Sequence, residues 1–241
     1  MYYYENQTRL GDSHIEFTKE HFSIKFDATQ TVVSSAILNG GIVHTTTVFN
    51  RFITKAFADH PDYKLTPEEM LESYGQKSLN SHYAVGLLTA APYYTYAFSG
   101  VEKDGIIIEA HITSGTSNAR RAGDPADVHT FEETEYKTGT INIIVCTNAQ
   151  LEQHTLLEAL MMVTESKVAV MEERKILSNK SGELSTGTGT DTVAIVNGSG
   201  RSIKYCGKHV LFGELLAQVV KKALSNSLQQ YDEKNVSKVV F

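Results

Sequence analysis

Residues 185–214 read Ser-Thr-Gly-Thr-Gly-Thr-Asp-Thr-Val-Ala-Ile-Val-Asn-Gly-Ser-Gly-Arg-Ser-Ile-Lys-Tyr-Cys-Gly-Lys-His-Val-Leu-Phe-Gly-Glu. The apolar run Val193–Val196 has the length and β-branched content of a buried strand. A glycine turn, Asn197–Gly200, follows it, and a helix opens near His209. Ahead of it, Gly187 and Gly189 let backbone approach a ligand closely because no Cβ intervenes. Thr186, Thr188, Thr190 and Thr192 add hydroxyls that donate or accept, and Asp191 adds the loop's one charge. A polar loop of this density beside an apolar strand is a usual place for a site. The same composition also suits an ordinary loop feeding a strand.

Working outward, residues 14–27 alternate, with Ile15, Phe17, Phe22, Ile24 and Phe26 apolar, as in a hairpin of half-buried strands. A third strand is expected over 31–37, then a turn at Asn39-Gly40-Gly41 and a β-prone run over 42–49. Residues 59–64 form a polar connection. Thr66, Pro67 and Glu69 make a capping box with proline at the first helical position, predicting a helix from 67 to about 74. The small apolar run 85–91 follows, and strands are expected over 93–98 and 105–113. The polar loop 113–124 leads into an acidic surface excursion over 124–137, and 141–146 is a buried strand. A helix is expected over 151–177, with Leu157, Met161, Thr164, Val168 and Met171 as its core stripe. Glu165 lies about 40° round that helix from Met161, which allows it either a cleft edge or a solvated pairing with a lysine. The last helix shows Phe212, Leu216, Val219 and Ala223 on one face, with Glu214 roughly opposite. The tail beyond Asp232 is polar and ends in Val-Val-Phe, suited to a short edge strand. The expected fold is a single α+β domain over residues 1–241, with α/β-type layers. Its sheet is mixed and largely antiparallel, flanked by helices.

Composition narrows the function. With 241 residues, 41% of them hydrophobic, and four prolines, the chain can bury a full core. A net charge of −6 without a clustered basic patch argues against a nucleic-acid partner. Apolar runs fall short of the roughly 20 residues of a membrane helix, and the first residues lack the pattern of a secretory signal. Cys146 and Cys206, both in expected strands, form no metal or redox motif. A cytoplasmic protein follows, and its composition leaves a homo-oligomer open.

Several chemistries lack their residues. The nine histidines are scattered rather than spaced as metal ligands; His111 and His154 read as structural or solvated. Gly198-Ser199-Gly200 is a turn between strands, not a nucleophile elbow. Gly187–Asp191 lacks the lysine of a phosphate loop. Three small polar loops remain, 34–41, 113–124 and 185–191, which could line one crevice if their strands share a sheet. His209, beside Gly207, is a candidate for proton transfer or a helix-end surface residue.

Seven segments in order carry a family resemblance: 34–41 (SSAILNGG), 86–91 (GLLTAA), 113–124 (TSGTSNARRAGD), 139–142 (GTIN), 164–167 (TESK), 186–191 (TGTGTD), and 207–209 with 213–215 (GKH, GEL). Over residues 34–223 the chain resembles the adenosylcobinamide amidohydrolase (CbiZ) family. Asn50-Arg51 stands where Asn-His is expected, and Lys208 and residues 210–212 also depart. The resemblance implies hydrolysis of the amide joining aminopropanol to the corrin ring, giving adenosylcobyric acid in cobamide salvage. The corrinoid is then the substrate, not a cofactor; no cofactor and no metal ligands are assigned, and whether a metal assists stays open. For that reaction, Asp191 or Glu165 is the expected group to activate water and His209 the expected proton donor to the leaving amine. Backbone amides near Gly187–Gly189, with Asn118, would hold the oxyanion, and a threonine nucleophile, Thr188 or Thr190, is the rival route. Asn39, Asn118, Asp124, Thr186, Gly187, Thr188, Gly189, Thr190 and Glu214 are the implied substrate contacts. Two other functions stay open: a non-catalytic corrinoid or small-ligand binding protein, and hydrolysis of a different amide.

Overall fold

A computed structural model describes residues 1–5, 7–53, 64–127 and 140–239, with side chains to residue 234. The acidic excursion beyond residue 127 and most of the 59–64 connection lie outside the described residues.

The strands are β1 (Tyr2–Tyr4), β2 (Ser13–Phe17), β3 (His21–Ser34), β4 (Gly41–Phe52), β5 (Val85–Thr89), β6 (Ala97–Lys103), β7 (Ile106–Ser114), β8 (Ala119–Arg120), β9 (Ile141–Thr147), β10 (Gln150–Leu151), β11 (Gly187–Thr188), β12 (Thr192–Asn197) and β13 (Ser202–Ile203). The helices are α1 (Pro67–Ser78), α2 (Gln153–Glu173) and α3 (Leu211–Val239). Nine strands form one sheet in the order β1-β6-β7-β9-β12-β3-β4-β5, with β2 also paired to β3. Among the described residues only β9–β12 and β4–β5 are parallel pairs in it, so the sheet is mixed and largely antiparallel, as expected.

Strand alternation divides the molecule into layers. On β9, Ile141, Ile143 and Val145 face one way, into a core with Val163, Val170, Val219 and Leu224 of α2 and α3. Ile144 and Cys146 face the other way, into a second core with Phe22, Val48, Phe52 and Leu87. The side chain of Asn142, also on that second face, donates to Asn50 of β4 and to the Leu88 carbonyl of β5. Two strands separate β9 from β4 in the sheet, so this contact requires the sheet to curl back over itself. On the outside of the folded-over wing, Phe49 packs with Leu71 and Tyr74 of α1. The resulting order is helices, sheet, sheet, helix.

The capping box at α1 is present: the Thr66 hydroxyl accepts from Glu69 N, and Glu69 accepts from Thr66 N. Other expectations are corrected. The hairpin's second strand and the separate third strand are one strand, β3, with an irregularity between Lys25 and Gln30 that absorbs the polar break. The 93–98 strand is a 3-10 turn over Tyr93–Thr95 leading into β6. On α2 the buried residues are Thr155, Leu156, Ala159, Met162, Val163, Ser166, Lys167, Val170 and Met171, so of the expected stripe Met171 is buried, whereas Leu157 and Met161 are exposed, Met161 by 64%. The sheet-facing stripe is rotated from the expected one because polar Ser166 and Lys167 occupy it. Cys206 lies in a loop rather than a strand, though both cysteines are buried. α3 continues through the polar tail to Val239, and the rest of the Val-Val-Phe end expected as an edge strand lies outside the described residues.

Inside the sandwich, Glu109 is fully buried yet supplied with donors: Tyr4 Oη at 2.7 Å, Arg9 N at 2.7 Å and Thr8 Oγ1 at 2.8 Å. Its carboxylate thus ties the N-terminal segment to β7. His111 Nδ1 pairs with Tyr96 Oη at 3.0 Å, and its Nε2 stands 3.8 Å from Glu109, an ion-pair rather than hydrogen-bond distance.

Candidate functional site

Two of the three polar loops meet. β8 and β11 form a short antiparallel ribbon, Ala119 opposite Thr188 and Arg120 opposite Gly187, so segments more than 60 residues apart in the chain become neighbours. Thr186 N donates to the Arg120 carbonyl, and Ala122 N donates to Thr186 Oγ1.

Asp191 is the centre of this knot. Lys167 of α2 pairs with its Oδ2; Thr188 Oγ1 donates to Oδ1 at 2.5 Å; Thr188 N and Ile141 N donate at 3.1 Å. Four donor groups from three segments fix the carboxylate's orientation. Gly187 leaves room for this pair: a Cβ on it would overlap Asp191 Oδ2 and stand 2.6 Å from Lys167 Nζ, so a larger residue would displace the two side chains.

A buried polar line runs from the knot into the sandwich. Thr140 Oγ1 lies within hydrogen-bond distance of the Thr190 carbonyl (2.6 Å) and of Asn142 Oδ1 (3.2 Å). Asn142 Nδ2 donates to Asn50 Oδ1 at 2.8 Å, and Asn50 Nδ2 to Thr113 Oγ1 at 2.9 Å. Asn50, Thr113 and Asn142 are fully buried, which makes each of these bonds costly to lose. The line marks the end of the sandwich where β4 and β7 finish and β9 begins.

The expected site residues divide into three groups. Thr186, Gly187, Thr188, Gly189, Thr190, Asp191, Asn118 and Asp124 belong to the joined loops. Asp124 is bound within them: hydrogen bonds from Ser178, Arg121 N and Ser181 hold its carboxyl below the ordinary range. Asn39 lies elsewhere. With φ of 54° it makes the turn before β4, and its Nδ2 donates to the Ala84 carbonyl beside α1. Its loop does reach β12, through Ser35, whose Oγ accepts from Val193 N. Glu165, His209 and Glu214 form a third group on the outer helical layer. Glu165 is exposed and paired with Lys208, the solvated reading of that residue. The loop holding His209 climbs along α2, with Lys204 O accepting from Thr155 and Cys206 N donating to Glu158. His209 is exposed, and Glu214 accepts from Gln218 on the surface of α3.

The sequence gives no site role to Lys167, Thr140, Asn142, Asn50 and Thr113, although the family-like segments 113–124, 139–142 and 164–167 contain four of them and Asn50 stands in the family-like Asn50-Arg51 pair. A lysine within the buried stripe of an amphipathic helix was a further signal for Lys167. The joining of the other four into one buried line has no signal in local sequence. Among the described residues, no three His, Cys, Asp or Glu side chains are grouped to hold a metal, and no helix is long and apolar enough to cross a membrane. Surface hollows of about 460 Å³ along Tyr2–Arg9 and about 470 Å³ beside His44 and Tyr83 are lined by none of the knot residues.

The family model that matches almost all of this layered α+β chain is one of hydrolases of amide bonds. The chain belongs to the adenosylcobinamide amidohydrolase (CbiZ) family, whose model matches residues 4–236. It is 27% identical over 202 residues to the adenosylcobinamide amidohydrolase of Methanosarcina mazei, covering 80% of this chain and 87% of that one. It is also 32% identical to the uncharacterized protein MJ1613 of Methanocaldococcus jannaschii, covering 92% and 90%. Among solved structures, a Burkholderia β-aminopeptidase superposes with a TM-score of 0.43 at 10% identity, over 89% of this chain and 80% of that one. The L-aminopeptidase D-Ala-esterase/amidase of Ochrobactrum anthropi gives 0.39 at 12% identity, over 91% and 83%.

Proposed function

We propose that the protein hydrolyses the amide between the corrin ring and aminopropanol in adenosylcobinamide, forming adenosylcobyric acid in cobamide salvage. The family it belongs to supports the substrate. The observation that carries the chemistry is the Thr188 hydroxyl donating to Asp191 at 2.5 Å, with Lys167 fixing the carboxylate. A hydroxyl beside a held carboxylate is the arrangement of an activated nucleophile.

In this reading Thr188 Oγ1 attacks the amide carbonyl while its proton passes to Asp191. Collapse of the tetrahedral adduct breaks the C–N bond, and Asp191 returns the proton to the departing amine. Water then cleaves the Thr188 ester, again with Asp191 as base. The backbone at Gly189 offers an unobstructed approach for the carbonyl. Asp191-activated water attacking directly is the variant of this route, and the two differ in whether an acyl-enzyme forms. The corrinoid is the substrate, and no resident cofactor or metal enters the proposed steps. Two buried free thiols suit the reducing cytoplasm.

Purified protein incubated with adenosylcobinamide, with and without chelator, should yield adenosylcobyric acid and aminopropanol on chromatography in both arms. Corrinoid binding without product would favour a non-catalytic binding protein. A product formed only from another amide would move the substrate assignment.

A further inference from the structure

Asn118 holds polar groups that the proposed chemistry leaves unexplained. It is 8% exposed, yet neither Nδ2 nor Oδ1 has a hydrogen-bond partner among the described residues. Buried side-chain amides are paired in most proteins, so two orphans on one group call for a reason. The residue is not loose. Ala119 N closes the turn onto the Thr116 carbonyl at 3.0 Å, Asn179 Nδ2 donates to the Ser117 carbonyl at 2.6 Å, and Asn179 N to the Ala119 carbonyl at 3.0 Å. Both flanks of Asn118 are therefore pinned. Its Nδ2 lies 3.4 Å from the place a Cβ on Gly189 would take, and beyond Gly189's chain neighbours no other described residue stands within 4 Å of that place. The amide thus lies directly beneath exposed Gly189 of the knot, with both of its polar atoms buried.

An oxyanion would use only the donor and leave Oδ1 buried and unpaired. A trans secondary amide, such as the scissile one, presents its C=O and N–H on opposite edges, so one planar side chain cannot bind both. A primary carboxamide has an N–H on the same side as its C=O and closes a two-bond ring with asparagine. Either orientation of the Asn118 amide presents one donor and one acceptor to such a group. We propose that Asn118 reads a primary carboxamide on the periphery of the substrate, close to the scissile arm. The proposal rests on the corrinoid amidohydrolase reading above, because a corrin ring carries such carboxamides around its edge. Asn118 is then a specificity residue that sets how the ring lies, while Thr188 and Asp191 act on the arm.

The test compares adenosylcobinamide with its peripheral monoacids, in each of which one primary carboxamide is replaced by carboxylate. Wild-type protein should lose about 10-fold or more in kcat/KM on one monoacid, chiefly through KM, because that acid sets a carboxylate oxygen against Oδ1 in place of the N–H. Asn118→Ala should bring that monoacid and the parent substrate to nearly equal kcat/KM. The melting temperature of the variant checks that it is folded. Turnover by wild type with no monoacid discriminated, or discrimination unchanged in Asn118→Ala, overturns the inference and leaves the function standing. No turnover or binding of adenosylcobinamide by wild type overturns both.

Discussion

Lys167 Nζ and Asp191 Oδ2 form an ion pair that joins the middle of α2 to the loop ahead of β12, with side chains 10% and 12% exposed. A lysine on the sheet-facing side of a helix would ordinarily be costly. Here its charge meets a carboxylate already oriented by Thr188 and Ile141. The pair sets the distance between the helical layer and the Thr186–Asp191 loop, and so the placement of the Thr188 hydroxyl.

Breaking this pair from the lysine side leaves a nearly buried carboxylate without its counter-charge. Lys167→Met should therefore lower unfolding free energy by about 3 kcal/mol, the lower end for a broken buried pair. Urea unfolding with an unchanged m-value would show it. A loss below about 0.5 kcal/mol would mean that the backbone donors alone satisfy Asp191.

Thr188 separates the two hydrolytic routes. Thr188→Ala should cut kcat by about 100-fold or more if its hydroxyl attacks, while Thr188→Ser should keep a measurable fraction. Rapid quenching followed by mass spectrometry should find a corrinoid-sized adduct on the peptide containing Thr188. Near-wild-type turnover in Thr188→Ala would transfer the attack to water activated by Asp191. In either route Asp191→Asn should abolish most turnover.

Legibility in the sequence followed how local each determinant was. The α1 cap, the buried run of β12 and the alternation of β2 were readable because every residue needed lies within a few positions. The stripe of α2 was misphased because its partner surface includes Asp191, 24 residues away, which accepts a lysine where the pattern asks for an apolar group. Leu157 and Met161 took its place in the pattern although both are exposed. The joining of the 113–124 and 185–191 loops was anticipated only as a condition on a shared sheet. The line from Asn142 through Asn50 to Thr113 depends on the sheet curling over itself, which no local pattern encodes.

Glu165 and His209 test the outer layer. Their region is tied to α2 by an exposed Lys208–Glu165 pair, and exposed pairs contribute little to stability. Glu165→Gln and His209→Gln should each leave kcat/KM within about 2-fold in the assay above, since neither group has a contact with Asp191 or Thr188 among the described residues. A loss beyond about 100-fold in either would place a second catalytic element on this face.

Gly213 has a packing role that is independent of chemistry. A Cβ on it would overlap the Gly207 carbonyl and lie 2.5 Å from that of Cys206, both rigid backbone. Gly213→Ala should destabilise by about 1–3 kcal/mol, as overpacking does, and lower the melting temperature by several degrees. Activity per folded molecule should persist at low temperature, because the knot at Asp191 lies on other elements. An undiminished melting temperature would show that the start of α3 shifts freely.

Stability should fall in two stages on acidification. Burial penalises the imidazolium of His21 and lowers its pKa from the ordinary 6.5, against the pull of Glu16 and Glu20. The unfolded chain thus takes up a proton near pH 6.5 that the folded chain binds only at lower pH, and stability declines below that point. Glu109 adds a later loss. Burial raises its pKa, but His111 nearby and hydrogen bonds from Arg9 N and Tyr4 outweigh it, leaving the net value below the ordinary 4.5. Its contribution is complete above pH 4.5 and is lost as pH drops below that value toward the folded pKa. Urea midpoints measured from pH 7.5 to 3.5 should show both slopes, and His21→Gln should flatten the upper one alone. A profile flat between pH 7 and 5 in the wild type would show that His21 takes up its proton as readily in the fold as outside it.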